Sequence, residues 1–132
     1  MQGDFQFKLE IKLFSRIHHK DVVNLVGFCY EQGEQILVYK YIPKGTLKGN
    51  HIYNFNLFFL NLHMTLSVKT KFQLEWTRRL RIALDTARGL AYLHEIADPP
   101  IIHMDVKSNN ILLDDHLTAK VTVFGLSNTT TQ

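Results

Sequence analysis

The chain has 132 residues, a formal charge of +3, and a composition 45% hydrophobic and 20% charged, which excludes a disordered or fibrous chain and fits one domain with a modest core. Its basic residues are dispersed, so neither a nucleic-acid arm nor a polybasic membrane patch is expected. A single cysteine, Cys29, excludes an internal disulfide framework and a Cys-rich zinc site, and suits a reducing compartment.

Residues 1–10 carry acidic and polar side chains and do not read as a signal peptide. Residues 4–19 fit two periods. Phe5, Phe7, Leu9, Ile11 and Leu13 alternate as in a strand, whereas Phe7, Ile11, Phe14 and His18 recur at helical spacing after a candidate cap at Asp4. Residues 22–30 and 35–41 are apolar, β-branched and aromatic runs joined by Glu31-Gln32-Gly33-Glu34, which predicts a hairpin with Gly33 in the turn. Pro43 and Gly45 then break the pattern, and Thr46 is placed to cap a short helix.

The nearest approach to a membrane span is residues 51–68, but Asn54, Asn56, Asn61 and His63 interrupt it, so no span is expected. Over residues 77–94, Leu80, Ala83, Leu84, Ala87, Leu90, Ala91 and His94 recur at three and four, with Arg78, Arg79, Arg81, Asp85 and Arg88 on other faces. This predicts an amphipathic helix closed by Asp98-Pro99-Pro100. Residues 111–113 and 118–123 read as two short strands around Asp114-Asp115-His116. The seven histidines form no metal constellation.

Between the long helix and these strands lies Ile102-His103-Met104-Asp105-Val106-Lys107-Ser108-Asn109-Asn110-Ile111-Leu112-Leu113, followed by Val123-Phe124-Gly125. A carboxylate at Asp105, a cation two residues on at Lys107 and an amide at Asn110 suit acceptance of a hydroxyl proton, neutralisation of phosphate charge and ligation of Mg²⁺. The stretch resembles the catalytic loop of the eukaryotic protein kinases, specifically plant receptor-like Ser/Thr kinases, with their His-Arg-Asp-x-Lys-x-x-Asn and Asp-Phe-Gly motifs. Two positions depart: Met104 stands for the usual Arg, and Val123 for the metal-binding Asp.

The resemblance implies an α+β, partial protein-kinase-like fold, with a remnant of the β-rich small lobe (residues 4–41), a hinge (42–47), an atypical Asn-, Phe- and Leu-biased insertion (48–73) and the start of the helical large lobe (74–132). It favours a helix at the start, with Glu10 as the ion-pairing carboxylate of a regulatory helix. Tyr39 would be the gatekeeper behind the adenine pocket, the backbone of Ile42 would bond the adenine edge, and Leu112 would floor the pocket. Leu25, Phe14, His103 and Phe124 would stack through the core.

The implied cofactors are ATP and Mg²⁺, and the implied activity is phosphorylation of protein hydroxyls on the cytoplasmic side of a membrane receptor. That activity is expected to be impaired, since valine offers Mg²⁺ no oxygen. No Gly-rich phosphate loop precedes Glu10, and Lys8 cannot replace the missing small-lobe lysine, because residues two apart on a helix do not face each other. The expected partners are a protein substrate or a full-length kinase, with no nucleic acid.

Overall fold

The computed structural model describes residues 2–50 and 68–124. The helical reading of the first segment is the one adopted: α1 spans Gln2–Phe14. It buries Phe7 and Phe14, which lie seven residues apart on one stripe, and leaves Phe5 exposed. Asp4 does not cap this helix, which begins two residues earlier. Its carboxylate instead accepts hydrogen bonds from Gln35 Nε2 and Tyr30 Oη, fastening the first turn to the hairpin.

The hairpin pairs β1 (Leu25–Glu31) with β2 (Glu34–Tyr39), with Glu31 opposite Glu34. Only Gln32 and Gly33 remain for the loop, and both have positive φ, 51° and 84°, as a type I′ turn demands. Residues two apart on a strand share a face, so Phe28 and Tyr30 both meet Phe7 of α1, at ring distances of 6.5 and 5.9 Å.

The first strand is shorter than its apolar run. Val22 forms a parallel bridge to Val121, Val23 N donates to Val121 O at 2.9 Å, and Val121 N donates to Asp21 O at 2.8 Å. Tyr41 likewise lies beyond the end of β2 and is exposed.

The long helix α2 spans Val68–Ala91 and runs into a π-helical turn, Tyr92–Ile96. Residues 68–73 of the expected insertion are thus continuous with this helix, while 51–67 lie outside the described residues, as does most of the candidate span. Among the described residues no helix is long and apolar enough to cross a membrane.

The buried face of α2 differs from the apolar stripe read from its sequence. Ile82, Asp85, Thr86 and Gly89 are buried, whereas Leu80 and Leu84 are 53% and 50% exposed. The rotation follows from close backbone packing: a Cβ on Gly89 would sit 2.6 Å from Asp21 O, so only glycine lets α2 approach the 21–23 segment. Thr86 is accommodated by donating its hydroxyl to Ile82 O at 2.8 Å.

Two short strands, β3 (Ile111–Leu113) and β4 (Ala119–Val121), pair antiparallel. Asp114 Oδ1 organises their turn by accepting from the backbone N–H of His116 and Thr118 at 3.0 and 2.9 Å. One core cluster gathers Phe14, Ile17, Val22, Leu93, Ile101 and Val123; a second gathers Ile82, Ile111, Leu113 and Ala119. β4 lies between them, contributing Ala119 to the second and bonding the segment that carries Val22.

Candidate active site

The loop after α2 is anchored at its start by Ile101, which is buried and donates its N–H to Leu93 O at 2.8 Å. His103 is 6% exposed and bonded at both ring nitrogens. Its Nδ1 accepts from Asp105 N at 3.2 Å, so Nε2 carries the proton and donates to Thr122 O at 2.8 Å. The ring therefore serves as a fixed strut between the loop and the strand that leads to Val123.

Asp105 sits on this strut with its side chain exposed. Lys107 Nζ lies 3.2 Å from Asp105 Oδ2, and Asn110 Nδ2 donates to Asp105 O at 2.8 Å and to Oδ2 at 3.1 Å. The Lys107 contact, followed by the Asn110 bond, holds the Asp105 carboxyl below its ordinary range, so it is ionised and able to accept a proton at neutral pH. Asn110 closes a 3-10 turn, Ser108–Asn110, and its carbonyl accepts from Thr122 N at 2.9 Å and Thr122 Oγ1 at 3.2 Å. Residues 105, 107 and 110 are thus brought together, and residue 122 braces them from below.

Val123 is elsewhere. Its side chain is 0% exposed and belongs to the cluster of Phe14, Ile17, Val22, Leu93 and Ile101. Met104, at the other departure from the motif, is exposed. Phe124 is half exposed and meets Tyr39 edge-on at 4.7 Å, while Gly125 lies outside the described residues. Of the four side chains expected to stack, Phe14 and Leu25 share the first cluster, Phe124 reaches it through Tyr39, and His103 is held by its polar bonds.

The donor set does not fit a divalent cation. Asn110 spends its amide N–H on Asp105, leaving one amide oxygen, and Val123 supplies none. Among the described residues no three His, Cys, Asp or Glu side chains converge as a metal site.

Of the residues expected around an adenine ring, Tyr39 ends β2, Ile42 follows it outside the strand, and Leu112 lies in β3 of the other sheet. Lys44 N donates to Leu113 O at 3.0 Å, Leu113 N donates to Gly45 O at 2.9 Å, and Thr46 bridges Leu112, so the 44–46 segment runs alongside β3. Leu112 is half-buried; Ile42 is buried, and its carbonyl accepts from Gly45 N at 3.4 Å. Thr46 does cap the next turn, its hydroxyl accepting from Gly49 N at 3.0 Å. The Tyr39 hydroxyl is buried without a hydrogen-bond partner, and burial together with the nearby Glu10 carboxylate pushes it up to about 12.

Sequence reasoning missed Asp21, Thr122 and Gly89. Asp21 is 0% exposed with neither carboxylate oxygen hydrogen-bonded, and burial, then the charge of Asp85, pushes its carboxyl up. Nothing in His-Lys-Asp-Val-Val marks that aspartate as buried. Gly89 could have been suspected as the one glycine inside a strong helical pattern.

An exposed, ionised aspartate, a lysine two residues on and an asparagine that clamps the aspartate, all braced by a buried histidine, form a kinase-type loop on an α+β framework. The comparisons agree with that class. The profile of the protein tyrosine and serine/threonine kinase family matches residues 2–132, and the chain belongs to that family. It is 61% identical over 127 residues to a probable leucine-rich repeat receptor-like protein kinase of Arabidopsis thaliana, covering 96% of this chain and 12% of the relative. From the same plant, a proline-rich receptor-like protein kinase and a calcium/calmodulin-regulated receptor-like kinase are each 46% identical over 126 residues, which is 96% of this chain and 16% and 25% of theirs. The chain therefore spans a quarter or less of the length of these relatives.

Proposed function

We propose that this chain is a receptor-like Ser/Thr kinase unit that keeps the proton-accepting loop but is strongly impaired in phosphoryl transfer, acting by contact with a full-length kinase or a protein substrate. The reading rests on the burial of Val123 in an apolar cluster at the position where the kinase motif has its metal-binding carboxylate. Kinases of this family use ATP and Mg²⁺, the metal neutralising charge that develops on the phosphates. In this chain Asp105 would still accept a hydroxyl proton and Lys107 would still oppose phosphate charge. If the lost electrostatic stabilisation is about 4 kcal/mol, turnover falls roughly a thousandfold.

Nucleotide, on this reading, binds weakly and without metal beside Tyr39 of β2, Ile42 of the hinge and Leu112 of β3. The unit works on the cytoplasmic side, with 4–41 as its small-lobe part, 42–47 as the hinge and 74–132 as the start of the large lobe.

The test is incubation with labelled ATP, Mg²⁺ and a generic protein substrate, beside an Asp105→Ala control. Incorporation no greater than in that control is expected. Incorporation that the substitution abolishes overturns the proposal.

A further inference from the structure

Away from the catalytic loop, three separate segments deliver cations to one hollow. Lys20 follows α1, Lys40 follows β2 and Lys120 lies in β4; together with His18 and His19 they line a cleft of about 330 Å³. Among the described residues no acidic side chain lines it. Asp105, Asn110 and Leu112 are not among its walls but Ile42 is, so the cleft is distinct from the catalytic loop and borders the hinge segment.

The arrangement is fixed by backbone. Lys40 N donates to Asn24 O at 3.0 Å, and the bonds between Asp21, Val23 and Val121 hold the segment after α1 against β4. Lys120 Nζ also donates to the carbonyl of Lys20. His19 stacks on Tyr92 with ring centres 4.7 Å apart, and its Nδ1 accepts from Asp21 N, so its neutral ring carries the proton on Nε2. The hollow is therefore walled by hydrogen-bond donors.

Three lysines lining one hollow concentrate positive potential there, which favours an anion. The carboxylate of Asp21 attracts Lys20, His19 and Lys120, but it is fully buried and bonds to none of them. It offsets one charge at most. A single carboxylate ligand would leave half of the remainder unmatched, whereas a phosphomonoester, with nearly two negative charges and several acceptor oxygens, matches it. The volume lies at the small end of ligand pockets and exceeds that of one phosphate group.

We infer that this cleft binds a phosphomonoester carried on a compact polyol, of the inositol phosphate type, supplied free or as a lipid headgroup. The probe is inositol trisphosphate, titrated calorimetrically into the whole chain at about 0.15 M salt, where long-range attraction is screened. Saturable one-to-one binding is expected, weakened about tenfold or more by Lys40→Glu and by the pair Lys20→Ala with Lys120→Gln. Lys12→Glu, a charge reversal on α1 outside the cleft, should change affinity less than about twofold.

Equal losses in Lys12→Glu and Lys40→Glu, or no saturable binding, overturn the inference. A second arm uses phosphatidylcholine vesicles with and without phosphatidylinositol bisphosphate. Binding to both the free trisphosphate and the phosphoinositide vesicles supports a headgroup as source. Binding to the free form alone supports a soluble ligand, and binding to vesicles alone overturns the cleft as the site.

Discussion

Substituting Val123→Asp reinstates the carboxylate of the kinase motif, and the packing around this position predicts that it harms the fold without recovering the metal. Val123 is 0% exposed among Phe14, Ile17, Val22, Leu93 and Ile101. Removing a buried valine forfeits about 1.5–2 kcal/mol of apolar transfer, and a carboxylate placed there without a partner costs a further 2–3 kcal/mol even after relaxation. The sum, about 4 kcal/mol, is a large part of the 5–15 kcal/mol that holds a typical domain together. In urea, with a slope of about 2 kcal/mol per molar, the unfolding midpoint should fall by about 2 M. Millimolar Mg²⁺ should not restore it, because the new carboxylate would lie within an apolar cluster that offers the metal no further oxygen. Val123→Ala provides the scale for the cavity contribution alone and should cost less. If Mg²⁺ brings the Val123→Asp midpoint back to that of the parent chain, the new carboxylate reaches a metal, and the account of a closed apolar position is wrong.

Asp21→Asn should stabilise the chain at neutral pH by about 1–2 kcal/mol, raising Tm by about 3–6 °C, because it removes an unbonded buried charge. The folded pKa of Asp21 is raised above 3.8, so the folded state holds more protons in that window and the penalty grows as pH rises through it; the Tm difference should therefore shrink towards pH 3.8. A lower Tm for Asp21→Asn would refute this. Asp105 has the opposite sign: its folded pKa is lowered, so its contribution is present above 3.8 and is lost as pH falls through the folded value. Lys107→Ala should move the Asp105 titration midpoint, followed by carbon-detected NMR, back towards the ordinary range; an unmoved midpoint contradicts the pairing. Gly89→Ala should cost about 2–3 kcal/mol in thermal or urea unfolding, since its Cβ meets Asp21 O at 2.6 Å and Val121 Cγ2 at 3.3 Å. A neutral effect would mean that α2 can move away.

What could be read from the residues was local. Gly33 between two β-branched and aromatic runs announced the hairpin because glycine readily takes the positive φ of a tight turn, and Asp105, Lys107 and Asn110 announced the loop because their chemistry and spacing are specific. The opening segment was legible only through family likeness, since Phe5, Phe7 and Leu9 satisfy either period until partners are known. The rotation of α2 was not legible. Its apolar stripe, Leu80, Ala83, Leu84 and Ala87, is the stronger sequence signal, but it remains exposed, and Ala83 and Ala87 wall an apolar hollow of about 410 Å³. The face chosen is the one where Gly89 admits a backbone. Val22 was assigned to the hairpin because an apolar run does not reveal which neighbour it will pair with, and its partner, Val121, lies far along the chain. Val123 could be recognised as unable to bind metal, but its place in a core depends on contacts with four distant segments.

The stitching of residues 21–23 to β4 also has a mechanical consequence. The hairpin leaves this frame at Asn24 and Lys40, which are themselves bonded backbone to backbone, and is held beyond them by Asp4 and Phe7 of α1. Two pins set side by side define a single axle, and α1 is the latch: the hairpin opens like a door leaf only once the contacts at Asp4 and Phe7 have parted. Force applied to its tip should peel it away before the frame yields.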